Sequence, residues 1–154
     1  MSDSILLQAV EQAIDELNAE TPTGIPDATN RRYIEGEKIS EPRIAVFLGD
    51  ERVEPPRNNA PADPITLRRG ALAVQCIALT DDPAELDAVV DPLLQHVVRT
   101  LGRSRLDKLV FSLAETGSTR RAYQSDTYVM VLTVLFNMTY QTARDDLTQR
   151  TATP

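Results

Sequence analysis

The stretch from Thr127 to Tyr140 constrains the fold more than any other, because its sequence, TYVMVLTVLFNMTY, leaves the backbone little freedom. Alternation of period two predicts one long strand with two distinct faces. The first face carries Tyr128, Met130, Leu132, Val134, Phe136, Met138 and Tyr140. The second carries Val129, Val131, Thr133, Leu135, Asn137 and Thr139. From Val129 to Leu135 both faces are apolar, which predicts an interior strand covered on each side by a helix layer or by another subunit.

Composition limits the classes of protein that this chain can belong to. Its 154 residues suit one domain, 1–154, with a substantial core. The formal net charge of -7 is opposite to the basic surface that grips nucleic-acid backbone. With 1 Cys the chain forms no internal disulfide, and no window reaches the ~20 apolar residues of a membrane span. The polar start after Met1 favours a cytosolic protein over a secreted one.

Hydrophobic periodicity predicts two helices and three further strands. Apolar positions from Ser4 to Asn18 recur at helical spacing, and Asp82, Pro83 and Glu85 favour the start of a second helix that ends at Gly102. Pro92 should kink or restart that helix. Strands are predicted at Arg43 to Leu48, Leu67 to Leu79 and Leu109 to Ala114. The expected fold class is α/β (α+β), a mixed or antiparallel sheet of about four strands with two helices packed on it.

Several segments lack periodicity and are predicted to be loops. Glu20 to Arg43 and Gly49 to Thr66 are rich in proline and polar residues, and we expect both to project from the domain. Glu115 to Ser125 is predicted to connect the last two strands, and residues 143–154 to form a flexible tail.

Two of these loops set arginine beside tyrosine, the pair of residue types that is enriched at protein–protein contacts. The first loop contains Arg31, Arg32 and Tyr33, and the second contains Arg120, Arg121 and Tyr123. Arginines on surfaces usually form salt bridges, but the association with tyrosine favours an interface. These six residues are the predicted interaction site.

Other reactive side chains have simpler interpretations. Cys76 shares a pleat face with apolar residues and is predicted to be a core residue. His96, the single histidine, is predicted to be a partly exposed surface residue. Asp87 and Asp91 stand four apart on one helix face, which suits a divalent cation or, more often, a solvated acidic face. Because none of the familiar nucleotide-binding, zinc-protease or serine-hydrolase motifs is present, we predict no catalytic, cofactor or metal site.

The order of elements resembles that of the tail terminator proteins of long-tailed bacteriophages, the lambda-type tail completion family. An amphipathic helix is followed by EPRIAVFLGDERVE, ALAVQCIALTDDPAELDAVVDPLLQHVV and LVFSLAETGSTRRAYQSDTYVMVLTVLFNMTYQT. The similarity extends from about Ser4 to Thr142 and rests most on the ending, where a strand leads through a charged loop into a long final strand.

The resemblance implies a non-enzymatic virion protein without a cofactor. Such a protein forms a hexameric ring on the tail tube, stops tube polymerisation and presents a docking surface to the head connector proteins. It would reside in the virion tail, and in the host cytoplasm during assembly, with no membrane partner. DNA would pass through the ring without specific binding, which suits the acidic charge balance.

Two alternatives stay open. One is a different head–tail connector subunit, which sequence cannot separate from a terminator. The other is a small metal-dependent enzyme such as a nuclease, for which the candidate ligands are Asp81, Asp82, Asp87, Asp91 and His96.

Overall fold

A computed structural model describes residues 4–53, 65–143 and 146–150 of the chain. Two helices and six strands follow one another in this part, together with a single 3-10 turn at Pro83–Glu85. In chain order they are α1 (Ile5–Ala19), β1 (Ala28–Thr29), β2 (Arg43–Val53), β3 (Ile65–Thr80), α2 (Leu86–Leu101), β4 (Ser112–Gln124), β5 (Tyr128–Ala143) and β6 (Asp146–Arg150). The predicted α+β class is confirmed, and β2, β3, β4 and β5 are its four long strands.

The strands form one mixed sheet in the order β1-β2-β3-β5-β4, with β6 paired to β5. Only the short β1 runs parallel to its neighbour, and the other pairs are antiparallel. The predicted interior position of β5 is confirmed, since Phe136 lies opposite Leu72 of β3 and Glu115 of β4. Interior strands can be apolar on both faces because both are covered.

Both helices pack on the same face of the sheet. This face carries the residues assigned to the first side of β5, and Leu132, Val134, Phe136 and Met138 are fully buried there. Ser4 caps α1 by accepting a hydrogen bond from the backbone N–H of Leu7 at 3.3 Å. An apolar stripe on each helix and one face of the sheet thus build the main core.

The start of the second helix differs in detail from the prediction. Asp82 accepts a hydrogen bond from the N–H of Ala84 at 3.0 Å, and a 3-10 turn precedes α2. Pro92 does not restart the helix, because Leu86–Leu101 is a single helix that contains it. The described part of the chain has no helix long and apolar enough to cross a membrane.

The other face of the sheet is covered in part by the segment 30–42, which we call the cross-sheet loop. Ile39 of this loop packs against Ile77, Val129 and Val131 to form a second apolar cluster. Within the chain, the second face of β5 is therefore not covered by a helix layer, while the predicted alternative of a second subunit stays a prediction. The cover within the chain is its own loop, which lies on the sheet where we expected it to project.

The segment before β5 requires the largest correction. The predicted strand at Leu109 to Ala114 begins only at Ser112, and the predicted loop from Glu115 to Ser125 is mostly strand β4. Leu106, Asp107 and Lys108 have φ values of 50°, 54° and 66°, so a left-handed turn precedes β4 instead. The hydrophobic pattern did not predict a strand here, because the edge strand β4 buries few side chains on either face.

The other predicted loops are shortened by their neighbouring strands. β2 and β3 extend into the predicted loop Gly49 to Thr66, of which residues 54–64 lie outside the described part. Asp146–Arg150, within the predicted flexible tail, forms β6, while 144–145 and 151–154 also lie outside the described residues.

Candidate interaction site

The two predicted arginine–tyrosine segments meet on the second face of the sheet. The rings of Tyr33, in the cross-sheet loop, and Tyr123, in β4, lie 5.7 Å apart between centroids at an interplanar angle of 34°. Tyr123 faces this side because it pairs with Val129, whose side chain belongs to the second apolar cluster. Tilted aromatic pairs at this distance are attractive, so the contact ties the loop to the edge strand.

A hydrogen bond from Tyr33 to the sheet holds the loop in place. The backbone N–H of Tyr33 donates to Oε1 of Gln75 at 2.7 Å. Gln75 is only 8% exposed and lies in the otherwise apolar run of β3. A buried amide needs a hydrogen-bond partner, and a loop can supply one. A polar side chain in an apolar strand therefore indicates such a contact, which we did not predict from the sequence.

The carboxylate of Glu37 holds the cross-sheet loop together through several hydrogen bonds. It accepts hydrogen bonds from Arg43 at 2.6 and 3.2 Å, from Arg31 at 3.3 Å and from the N–H of Ile34 at 3.3 Å. The hydrogen bonds from Arg43 lower the pKa of Glu37, while those to Glu37 raise the pKa of Arg43. Arg31, predicted to be an interface residue, is thus partly engaged in holding its own loop.

The hydroxyl of Tyr123 is enclosed beneath the loop. Its oxygen is buried and has no hydrogen-bond partner within the described residues. Burial is the main reason that the pKa of Tyr123 is raised, with nearby Tyr33 and Glu37 adding to the effect. An enclosed hydroxyl without a partner marks a place where the packing of loop and strand is incomplete.

A cavity of about 290 Å³ lies beside the tyrosine pair. Tyr33, Tyr123 and Val131 give it an apolar part, while Gln75, Thr119 and Thr133 add polar groups. Arg121 and Glu35 also line it, and both are exposed. Within the described part of the chain, neither of these two charged side chains forms an ion pair, in contrast to Arg31, Arg43 and Arg120.

The predicted site divides between the two faces of the sheet. Arg121 lies opposite Val131 and faces the cavity, whereas Arg120 lies opposite Leu132 and faces the helix layer. There the guanidinium of Arg120 contacts Oδ1 of Asp87 at 3.0 Å. Neighbouring residues of a strand point in opposite directions, so residues 120 and 121 cannot belong to one flat surface.

The remaining predicted contact residue, Arg32, also has a place on the second face. Its guanidinium carbon lies 5.3 Å from the centroid of the Phe47 ring, within the range of a cation–π contact. The cavity-side site therefore consists of Arg32, Tyr33, Arg121 and Tyr123, with Arg31 at its edge and Arg120 outside it.

Asp87 and Asp91, two of the candidate metal ligands, have structural partners. Oδ2 of Asp91 accepts a hydrogen bond from Gln95 at 2.6 Å, and Asp87 pairs with Arg120. No three His, Cys, Asp or Glu residues group as a possible metal site in residues 4–53, 65–143 and 146–150. Cys76 is fully buried, as predicted, and burial raises the pKa of its thiol to about 12.

The prediction for His96 is wrong. The residue is 7% exposed, and its Nε2 lies 2.9 Å from the backbone oxygen of Leu17, near the end of α1. The helical wheel placed His96 at the edge of the apolar stripe, but α1 packs against that edge and buries it. The ring thereby satisfies a carbonyl at the helix end, which is otherwise without an intrahelical partner.

Comparisons with models of protein families and with curated proteins find no match for this chain.

Proposed function

We propose that this chain is a structural virion protein that caps a bacteriophage tail tube as a ring. In this role it ends tube polymerisation and provides the docking surface for the head connector. It would act in the virion tail after assembly in the host cytoplasm, without a cofactor and without catalysing a reaction. The proposal derives from the order of elements described above, and the α+β class of the domain supports it. The charged segment before the final strand, on which the resemblance rested most, is strand β4 and not a loop.

One observation carries the proposal. Two segments about 90 residues apart, each chosen for its arginine and tyrosine, meet at the pair Tyr33 and Tyr123. The result is one surface with two aromatic rings, an adjoining cavity and the guanidinium of Arg121, which has no ion-pair partner among the described residues. Aromatic residues and arginine in a partly enclosed setting are typical of the energetic centre of an interface. On this basis the second face of the sheet is the surface that binds a partner.

The acidic composition supports the passage of DNA through such a ring. The chain has 23 acidic and 16 basic residues, and several basic residues are already neutralised by internal partners. Because affinity for nucleic acid depends on unpaired cations, a ring of this chain would not hold phosphates strongly.

The alternative of a metal-dependent nuclease has less support. It requires Asp87 and His96 to turn toward one cation, yet Asp87 contacts Arg120 and His96 is buried against Leu17. A different connector subunit would share the proposed surface and would differ in its partner. Magnesium titration with thermal melting tests the nuclease, since a cation that binds only the folded state raises the melting temperature.

The decisive experiment is to mix the protein with purified tail tubes and image the products. We expect rings at tube ends, and tubes capped in this way should no longer elongate when tube subunits are added. Solution mass measurements should give a closed oligomer of about six copies, alone or on the tube. A protein that stays monomeric and leaves tube growth unchanged would refute the proposal.

A further inference from the structure

Two surfaces of the domain carry charges that form no ion pair with any residue the structure describes, and they lie on opposite sides of the sheet. The first is the cavity between the cross-sheet loop and β4, where Arg121 is exposed beside Tyr33 and Tyr123. The second is the outer face of α1. The helices cover one face of the sheet and the cavity opens on the other, so the two surfaces cannot touch within one chain.

The outer face of α1 carries an apolar side chain and carboxylates, which complement the apolar part of the cavity and the guanidinium of Arg121. Leu7, Glu11 and Asp15 follow one another at intervals of four residues and therefore share a side of the helix. All three are exposed, and Leu7 reaches 48%, which is high for a leucine. Neither carboxylate forms an ion pair within the described residues, and α1 contains no lysine or arginine. This surface thus offers an apolar side chain followed by two unpaired negative charges.

We propose that the cavity of one copy receives the outer face of α1 from the next copy. Leu7 would enter the apolar part beside the tyrosine pair, and the Glu11 and Asp15 carboxylates would approach the guanidinium of Arg121. The proposal rests on the ring that we propose above, and it names the two surfaces that join its subunits.

The arrangement of the surfaces also determines the type of assembly. A contact between two different patches of the same chain is heterologous, so every bound copy leaves one cavity and one helix free for further copies. Such contacts close into a ring when the rotation between neighbours allows it, and otherwise they form a filament. A twofold dimer would require both contacts to form reciprocally between the same two copies, which the position of the patches on opposite sides of the sheet disfavours.

Glu35 provides an internal test of the charge argument. It lines the same cavity and forms no ion pair within the described residues, so it repels an incoming carboxylate. Replacing Glu35 by Gln removes this repulsion without a change of size. If α1 of a second copy is the ligand, the Glu35→Gln protein should associate more strongly than the wild type.

The main test is charge reversal followed by sedimentation velocity of the full chain over a range of concentrations. Arg121→Glu should weaken association about tenfold or more, and so should the pair Glu11→Arg with Asp15→Arg. Combining all three changes in one chain should restore association, because each reversed surface then meets a reversed partner. Arg120→Glu is the control, since it makes the same charge change one residue away on the opposite face. It should leave association within about twofold of the wild type.

The outcomes separate this inference from the proposed ring. Rings that form equally well with Arg121→Glu would overturn the cavity–helix contact and leave the ring intact. Loss of association on reversal of either surface, without rescue in the combined protein, would overturn it as well, provided that thermal melting shows each variant to be folded. A wild type that stays monomeric alone and with tail tubes would refute the ring, and this contact with it.

Discussion

Phe136 offers the most direct test of how β5 organises the domain. Its side chain is fully buried at the centre of the helix-facing core, and its backbone lies between Leu72 and Glu115 of the two neighbouring strands. Removal of a buried phenylalanine ring costs about 3 to 5 kcal/mol, because apolar contacts are lost and a cavity remains. For a domain of this size, that loss corresponds to a fall of about 6 to 20 °C in melting temperature.

The adjacent residue supplies a matched control. Leu135 is 38% exposed and points to the other face of the same strand. Leu135→Ala should therefore cost less than about 1 kcal/mol, since much of this side chain is already in contact with water. Both positions lie in the middle of the same strand, so most of the difference in cost reports the burial of Phe136.

Urea denaturation followed by circular dichroism measures both free energies of unfolding. Since domains of this kind have about 5 to 15 kcal/mol of stability, Phe136→Ala should fold while Phe136→Asp should not. The aspartate adds the desolvation of an unpaired carboxylate to the lost ring. A cooperatively melting Phe136→Asp protein, or equal costs for the two alanine variants, would show that the assignment of faces is wrong.

Three further predictions concern the cross-sheet loop and the helix layer. Glu37→Gln should lose about 1 kcal/mol near neutral pH, because Arg43 loses its ionic partner. The pKa of Glu37 is lowered in the folded protein, so its contribution is present above the usual carboxyl pKa of 4.5 and disappears as pH falls through the lower folded value. Urea titrations near neutral pH and at about pH 3 should therefore show the difference from wild type shrinking in acid, and a constant difference would contradict this. His96→Leu should destabilise by about 0.5 to 1.5 kcal/mol, since the carbonyl of Leu17 loses its shorter hydrogen bond and keeps only the one from the Thr21 hydroxyl at 3.4 Å. Thermal melting measures this, and an unchanged midpoint would refute the contact. Tyr123→Ala should cost about 2 kcal/mol or more and increase proteolysis of the cross-sheet loop, whereas protection equal to wild type would show that the tyrosine pair does not hold the loop.

Pattern alone located the elements that have a continuously buried apolar face. β5, β3 and both helices were predicted because one face of each is buried continuously, which imposes a period of 2 or 3.6 on the sequence. Cys76 was placed in the core by the same logic. The ends were less accurate, since β2 runs five residues past its predicted end at Leu48, onto an irregular pairing with β3.

The candidate site could be predicted only as separate parts. Residue types pointed to Tyr33 and Tyr123, but nothing local indicates that their rings are 5.7 Å apart. Their contact depends on the loop crossing the sheet, which is fixed by Gln75 and Glu37 at sequence distances too large for any periodic pattern to show. The sequence also grouped Arg120 with Arg121, and only the pairing of β4 with β5 assigned them to opposite faces.

The sequence by itself determined which residues form the core, because burial of apolar side chains is a local choice repeated at a fixed period. Tertiary structure determined the pairing and burial of residues whose neighbours come from distant parts of the chain. β4 is a strand although its side chains are mostly exposed, since its backbone groups pair with β5. His96 is buried although it lies among polar neighbours, since α1 supplies a carbonyl to its ring. Backbone pairing between strands depends little on side-chain identity, and the carbonyl that His96 contacts lies 79 residues away, so neither leaves a periodic pattern in the sequence.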